Sequence, residues 1–386
     1  MIHRHAAPRI KRLMQGFPIV TVTGPRQSGK TTLVRELFPH KPYVMLEAPA
    51  TREFARNRPA DFLLQFPQGA VLDEAQNAPE LFSEMQGVVD SSKQMGLFVL
   101  TGSQNLSLLS GVTQSLAGRT ALVELLPLSV AELRQAGFTA ASYTTHLVKG
   151  FFPAIYNRSL DPHEWLQGYL VTYAERDARQ LAAVQDLSAF QRFLKLVASR
   201  TGQLLNMQSL ASDAGIADKT VKAWLSVLET CYLIHYVRPH FVNFGKRLVK
   251  MPKIYMTDVG LAAALIGIQT DTQAQNHPLR GALFETMVVN EFLKNRCNSG
   301  VREPLYFWRD NIGTEVDLIL ERGSDIAAVE IKSGITVAAD AFSNLKKWQK
   351  YAAERGSFSA VYPGLVYGGD TRFVREGVDV MNWAGL

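Results

Sequence analysis

Short apolar runs alternate with amphipathic stretches over the first 150 residues. The run Ile19, Val20 and Val22 predicts a buried strand, and residues 32–38 predict the helix that follows it, ended by Pro39. Four more apolar runs predict strands at 43–46, 69–74, 97–103 and 120–126. Near-continuous apolar strands separated by helices are typical of a parallel sheet that is covered on both faces.

A different pattern occupies residues 205–256. Asn206 is positioned to cap a helix over 207–214, and Asp218 to cap a second helix after a turn at 215–217. Four apolar residues of the second helix recur at i, i+3, i+4 and i+7, which predicts one buried stripe: Val221, Trp224, Leu225 and Leu228. The pattern predicts a helix-turn-helix, and apolar runs at 232–237 and 253–256 could pair beside it as a β-wing.

The last hundred residues predict a third unit. A helix is expected over 281–295, strands over 304–309, 314–320 and 325–331, and then a helix that contains Trp348. We therefore expect three domains, at 1–150, 151–278 and 279–386, which agrees with a length of 386 residues.

Composition narrows the protein class. Hydrophobic residues make up 47% and charged residues 20%, which excludes wholesale disorder. The net charge of +6 permits contact with nucleic acid without requiring it, and the basic run at residues 3–12 is interpreted as a solvated helix face. We predict a cytoplasmic protein with no membrane partner, on three observations. The two cysteines are far apart, the N-terminus has no signal-like apolar region, and the apolar stretch at 260–268 is too short to span a bilayer.

The segment after the first strand carries phosphate-binding chemistry. Residues 24–31 match the P-loop pattern G-x-x-x-x-G-K-[ST], in the required position between a strand and a helix. Its glycines let backbone N–H groups approach a phosphate, Lys30 supplies a point charge, and the Thr31 hydroxyl is placed to ligate Mg²⁺. The predicted nucleotide-binding residues are Gly24, Pro25, Arg26, Gln27, Ser28, Gly29, Lys30, Thr31 and Thr32.

Polar residues at the ends of the later strands complete a candidate catalytic set. Asp73 and Glu74 are placed to hold Mg²⁺ and to polarise the attacking water, respectively, although an ordinary acidic strand end would look the same. Ser103, with Gln104, could position water or the γ-phosphate. Arg119, just before the last strand, could reach the γ-phosphate of a neighbouring subunit, or it could be a surface arginine.

The order of these motifs resembles the AAA-type ATPases, and the phrases at 24–31 and 100–103 resemble one prokaryotic family of them that carries a separate C-terminal domain. The resemblance implies an additional-strand, catalytic-glutamate core that hydrolyses ATP with Mg²⁺ and assembles as a homo-oligomer.

The helix-turn-helix admits two interpretations. In one, Lys219 and Lys222 enter the major groove of duplex DNA and the wing contacts phosphates, helped by basic residues between the wing strands: Arg238, His240, Lys246, Arg247 and Lys250. In the other, a winged helix serves as an ATPase lid or as a contact for a protein partner. Two lysines without an arginine are few for base readout, so both interpretations stay open.

Four residues of the C-terminal unit resemble the restriction-endonuclease-like fold of Holliday-junction resolvases. The likeness implies that Asp317 and Glu330 ligate a divalent metal and that Glu285 completes the metal's ligand shell or orients water. It also implies that Lys332 activates water or stabilises the charged phosphorane. The alternative is a degenerate domain held by an internal carboxylate–lysine cluster.

The expected fold class is therefore α/β: an AAA-type P-loop NTPase parallel sheet, a winged helix and a restriction-endonuclease-like α/β domain. The first functional hypothesis is an ATPase that acts on DNA, with a metal-dependent nuclease site at the C-terminus. The second is a nucleotide switch or assembly ATPase that acts on a protein partner through an inert C-terminal binding domain.

Overall fold

The structure is a computed structural model, and it describes residues 2–103, 115–174, 184, 186–240, 249–355 and 358–386. The predicted residues Gln104, Lys246 and Arg247 lie outside this part of the chain. Among the described helices, none combines the length and the apolar character that crossing a membrane requires.

The first unit is a five-stranded parallel sheet with helices on both faces, in the order β2-β3-β4-β1-β5. Its elements are α1 (Ala7–Gly16), β1 (Ile19–Thr23), α2 (Lys30–Leu37), β2 (Tyr43–Met45), α3 (Pro49–Asn57), α4 (Pro59–Leu64), β3 (Val71–Asp73), α5 (Glu80–Ser92), β4 (Phe98–Gly102) and β5 (Thr120–Glu124). Strands β1, β3 and β4 are buried along their whole length, which confirms the parallel sheet predicted from their apolar runs. Strand β4 lies between β1 and β3, as an additional-strand core requires.

The middle of the chain is mostly helical. Its elements are α6 (Val130–Gln135), α7 (Tyr143–Lys149), α8 (Pro153–Asn157), α9 (Pro162–Tyr169) with a π-helical turn (Leu170–Ala174), α10 (Leu187–Ser199), β6 (Gln203–Leu204), α11 (Met207–Ala214), α12 (Asp218–Thr230), β7 (Ile234–Pro239), β8 (Lys253–Met256), α13 (Val259–Leu265) and α14 (Asp271–Asn276).

The two helices predicted near residues 207–230 are present as α11 and α12. Asn206 caps α11 by accepting from the Ser209 backbone N–H at 3.0 Å, as predicted, and Gly215 ends that helix with a φ of 67°. Asp218 does not cap α12: Ala217 occupies the cap position and makes no side-chain cap. The four apolar residues of the predicted stripe are buried, and β7 pairs antiparallel with β8.

The C-terminal unit contains α15 (Arg280–Ser299), β9 (Tyr306–Arg309), β10 (Glu315–Arg322), β11 (Asp325–Lys332), α16 (Ser343–Arg355), β12 (Ala360–Tyr367), β13 (Phe373–Arg375) and β14 (Val378–Asn382). Its strands form a mixed sheet that continues into the preceding hairpin, because β7 pairs in parallel with β9 at two residue positions. The result is one nine-stranded sheet in the order β13-β14-β12-β11-β10-β9-β7-β8-β6. Strands β12 to β14 had no sequence prediction.

Candidate functional site

The P-loop has a backbone that side chains would obstruct. A Cβ on Gly24, whose φ is 144°, would lie 2.2 Å from the Leu125 carbonyl oxygen. Gly29 has a φ of 92° at the cap of α2, so this helix begins at Lys30, two residues earlier than predicted. The first N–H groups of α2 therefore point into the loop, which is the arrangement that binds phosphate.

A cavity of about 290 Å³ opens beside the P-loop. One wall is formed by the loop, by Thr32 and by Glu74. The other wall comes from α8 and the residue after it, where Pro153, Asn157 and Arg158 face the loop. The cavity thus has basic groups on two sides, as a site for a polyphosphate needs.

Lys30 lies buried inside the loop and donates to the Gly24 carbonyl at 2.9 Å and the Pro25 carbonyl at 2.7 Å. Burial lowers the pKa of Lys30 to about 8, although the charges of Glu74 and Asp73 act in the opposite direction. The Ser28 hydroxyl is buried and has no hydrogen-bond partner among the residues that the structure describes. A buried amine with a lowered pKa and an unpaired hydroxyl fit a loop that binds an anion.

The carboxylate of Asp73 lies at the carboxyl end of β3 and accepts from three hydroxyls. Thr31 Oγ1 is 3.1 Å from each of its oxygens, the Tyr43 hydroxyl is 2.5 Å away, and Thr101 also donates to it. A threonine hydroxyl beside a carboxylate is the oxygen-rich donor set that Mg²⁺ prefers. The residues at this point therefore fit the predicted magnesium site.

Glu74 has left-handed backbone geometry, with a φ of 56°, and this turn ends β3 one residue earlier than predicted. The Ser103 hydroxyl donates to Glu74 Oε2 at 2.9 Å, and the Gln76 amide donates to the same oxygen. Burial would raise the pKa of Glu74, but the Lys30 charge and these two hydrogen bonds outweigh it and lower the pKa. Glu74 is therefore an oriented, ionised carboxylate that lines the cavity.

Arg4 supports the P-loop through buried hydrogen bonds, a role that the sequence did not indicate. Its guanidinium donates to the Ser28 carbonyl at 2.6 Å and the Leu126 carbonyl at 2.6 Å, and it pairs with Glu132 at 3.2 Å. Arg4 is 6% exposed and precedes α1. The interpretation of residues 3–12 as a solvated helix face is therefore wrong for Arg4, because this side chain satisfies buried carbonyls.

Arg119 lies far from the P-loop of its own chain. It precedes β5 at the amino ends of the strands, whereas the P-loop follows their carboxyl ends. Its guanidinium makes a bidentate pair with Asp90 of α5, with both distances at 2.7 Å. Any contact between Arg119 and a nucleotide therefore has to be made to another subunit.

The four predicted C-terminal residues lie in one cluster, together with three that sequence reasoning missed. Lys253 Nζ is 2.8 Å from Glu285 Oε1, 2.5 Å from Glu315 Oε1 and 4.0 Å from Asp317 Oδ1. The Tyr255 hydroxyl donates to the same Glu285 oxygen at 2.7 Å. The sequence did contain one sign of these contacts. Side chains alternate between the two faces of a strand, so Lys253 and Tyr255, two positions apart in β8, lie on the same face.

The rest of the cluster is on β10 and β11. Asp317 Oδ2 accepts from the Ile331 backbone N–H at 2.8 Å, and Lys332 Nζ is 2.7 Å from Glu330 Oε2. Burial, and then the Asp317 charge, raise the pKa of Glu330 to about 8. Within the described residues, no group of three or more His, Cys, Asp or Glu side chains has the geometry to hold a metal ion. The metal-ligand roles of Asp317 and Glu330 stay predictions.

The exposed face of α12 carries Lys219 and Lys222 together with the acidic residues Asp218 and Glu229. Lys219 and Lys222 are exposed on the side opposite the buried stripe, and Arg238 and Lys250 are exposed nearby on the hairpin side. His240, which was grouped with these basic residues, is instead buried and contacts Glu321 Oε1 at 2.8 Å.

Comparisons with known proteins give matches along nearly the whole chain. Residues 16–134 match the family model of an AAA domain, and residues 140–272 and 280–385 match two domains of unknown function, DUF8612 and DUF4143. The uncharacterized proteins Rv2008c of Mycobacterium tuberculosis and Mb2031c of Mycobacterium bovis are each 32% identical over 363 residues, which is 94% of this chain and 80% of theirs. The Walker-type ATPase PABY2304 of Pyrococcus abyssi aligns with 14% identity and a TM-score of 0.48, covering 69% of this chain and 96% of that structure.

Proposed function

Because the chain belongs to the same family as these two mycobacterial proteins and its first unit is an AAA-type P-loop ATPase domain, we propose that it binds and hydrolyses ATP at the cavity beside the P-loop. The observation that carries the proposal is the position of Glu74. This carboxylate lines the cavity wall, is kept ionised by Lys30, and is oriented by Ser103. An oriented, ionised carboxylate next to a phosphate-binding loop is what water activation requires.

The other residues of the site have separate tasks. Lys30 and the N–H groups of the loop bind the β- and γ-phosphates, and Thr31 and Asp73 would hold Mg²⁺, which neutralises phosphate charge when bound. Ser103 keeps the Glu74 carboxylate turned toward the cavity. Arg158, on the opposite wall, adds a positive charge that can contact the same phosphates.

The direct test is the steady-state ATPase rate of wild type and Glu74→Gln. We expect the variant to bind a fluorescent ATP analogue normally and to lose about 10²–10⁴-fold in turnover, since it cannot polarise water. Glu53→Gln, an exposed change on α3, is the matched control and should keep the wild-type rate. Wild-type turnover in Glu74→Gln would contradict the proposal.

The exposed lysines on the face of α12 opposite its buried stripe, with Arg238 and Lys250 beside Lys222, support a second proposal, that the predicted winged helix contacts duplex DNA. Lys219 and Lys222 are one turn apart on this face and are free of the buried stripe. We expect the double change of both lysines to alanine to weaken duplex binding at all sequences and to reduce its salt slope by about two. The control changes Lys347 and Lys350, which have the same spacing on α16, to alanine.

The two functional hypotheses predict different effects of duplex DNA on the ATPase rate. Stimulation by duplex DNA that the Lys219/Lys222 change abolishes would support action on DNA. A rate that DNA leaves unchanged would support the switch that acts on a protein partner. We assign no cutting of phosphodiesters to Glu285, Asp317, Glu330 and Lys332, because a further ammonium, that of Lys253, lies between Glu285 and Asp317 where a metal ion would be needed.

A further inference from the structure

The carboxylate cluster of the C-terminal unit has a cation supplied by the chain itself. Lys253 extends from β8 between Glu285 of α15 and two residues of β10, Glu315 and Asp317. Its side chain is only 3% exposed, whereas the three carboxylates are each 12–20% exposed. The ammonium is therefore more deeply buried than the three carboxylates around it.

The three carboxylates around Lys253 already have protein donors. Glu285 Oε1 accepts from both Lys253 and Tyr255, and Glu315 accepts from Lys253 and, at 2.9 Å, from Arg309. Asp317 Oδ2 accepts from a backbone N–H at 2.8 Å. A divalent ion such as Mg²⁺ needs several oxygens of this kind at 2.0–2.1 Å in near-octahedral order. An ammonium 2.5–2.8 Å from two of the oxygens excludes an ion from the same point.

The charge balance points the same way. Burial alone would lower the pKa of Lys253, but Glu285, Asp317 and Glu315, together with Tyr255, raise it well above its usual value. These carboxylates therefore favour the charged form of the lysine. The ring of Phe307, 5.5 Å from Nζ, lies against the same ammonium.

We propose that Lys253 takes the place of a divalent cation among Glu285, Glu315 and Asp317, so that the cluster binds no metal and instead joins β8 to α15 and β10 by ion pairs. The inference is independent of the ATPase proposal, since none of these residues lines the nucleotide cavity. On this proposal, Asp317 and Glu330 pair with lysines and do not ligate a metal ion.

The test measures Mn²⁺ binding to the full chain, without nucleotide, by electron paramagnetic resonance. All variants carry Thr31→Val, which removes the metal-ligating hydroxyl of the P-loop. We expect this background to bind no Mn²⁺ at the cluster. Adding Lys253→Met removes the ammonium and keeps a side chain of similar length. We expect this variant to gain one Mn²⁺ site, with an affinity about tenfold or more above any residual binding by the background, because the negative charge of the carboxylates is then uncompensated.

Three further variants make the result specific. Lys332→Met removes the exposed lysine of the same cluster and should create no site, and Lys253→Arg keeps the charge and should create none. Asp317→Asn, added to Lys253→Met, should abolish the new site. Mn²⁺ should also raise the thermal midpoint of Lys253→Met and leave that of the background unchanged.

Two results would overturn the inference. One is a stoichiometric Mn²⁺ site in the background protein that Asp317→Asn removes. The other is a folded Lys253→Met protein that gains no site. If Lys253→Met does not fold, the titration of the background and of its Asp317→Asn variant decides, because a metal site there refutes the inference and its absence supports it.

Discussion

The phenolic hydroxyl of Tyr232 donates a buried hydrogen bond to Thr23 Oγ1, 2.9 Å away and 209 positions earlier in the chain. Thr23 is the last residue of β1 and immediately precedes Gly24 of the P-loop. Tyr232 follows α12 and has a φ of 58°, a left-handed conformation that a bulky residue rarely adopts. The proposed DNA-contacting helix is thus tied to the phosphate-binding loop by one pair of side chains.

Tyr232→Phe removes this tie and keeps the ring. We expect a loss of about 1 kcal/mol in the free energy of unfolding, because the buried Thr23 hydroxyl loses its partner. We also expect any stimulation of the ATPase by duplex DNA to fall while the basal rate stays. Denaturant titration and the ATPase assay measure the two effects. Tyr362→Phe, an exposed position, is the control, and full DNA stimulation in Tyr232→Phe would contradict the coupling.

Arg4→Met tests the support behind the P-loop. The change leaves the Ser28 and Leu126 carbonyls without a donor and leaves Glu132, whose side chain is 0% exposed, without its charge partner. Breaking a buried pair from one side costs about 3–5 kcal/mol, so we expect a large drop in the thermal midpoint and weaker ATP binding.

The controls for this change are in the same region. Arg12→Met, on the exposed face of α1, should leave both the midpoint and ATP binding unchanged. The double variant Arg4→Met/Glu132→Gln should recover part of the midpoint, since no uncompensated charge remains. Normal stability in Arg4→Met alone would show that the guanidinium does not support the loop.

Arg119→Ala tests assembly through the edge of the first sheet. If Arg119 completes the nucleotide site of a neighbouring subunit, the variant should lose about 10³-fold or more in turnover and keep ATP binding. The rate of wild type should then rise with protein concentration, as measured together with light scattering in ATP and Mg²⁺. Arg56→Ala removes an exposed arginine that also pairs with a residue of α5 and is the matched control. A monomer with full activity would exclude this role.

His146 gives the protein an acid-sensitive point. The ring is stacked on Phe151, and burial, followed by the Lys294 charge, lowers its pKa to about 4. The unfolded chain takes up this proton near pH 6.5, so stability falls as the pH drops from 6.5 towards 4, by about 1.4 kcal/mol per pH unit for one such group. His146→Phe keeps the stacking and should lose less in thermal midpoint between pH 7 and pH 5 than wild type. An equal loss in both proteins would contradict this assignment.

Local patterns predicted most of the first sheet and the α11–α12 pair. A strand that is buried on both faces shows as a continuous apolar run, and an amphipathic helix shows as apolar residues at helical spacing. The P-loop was recognisable for the same reason, since its chemistry lies within eight positions. Arg4 and Lys253 were missed because their partners are distant: Glu132 is 128 positions from Arg4, and Glu285 is 32 from Lys253. A charged residue gives no sign in the sequence that it is buried until its partner is known.

The predicted pairing of the apolar runs at 232–237 and 253–256 is confirmed as β7 with β8, but the pairing of β7 with β9 was not predicted, for a related reason. The apolar runs that form β7 and β8 predicted a hairpin, but pairing with β9 depends on backbone hydrogen bonds that any residues can make. Register between distant strands is set by the whole sheet, and the sequence of one strand does not contain it.

The nine-stranded sheet has mechanical consequences. The contact of β7 with β9 is only two residue pairs long, as is that of β6 with β8 at one edge, whereas β11 and β12 are joined over eight. A force that pulls neighbouring strands apart is shared at the contact of β7 with β9 by few backbone hydrogen bonds. The ion pair of Lys253 with Glu315 joins β8 to β10 across the same contact, so it adds a connection beyond the two backbone pairs. Pulling the two halves of the sheet apart at this point would therefore load that ion pair together with the backbone.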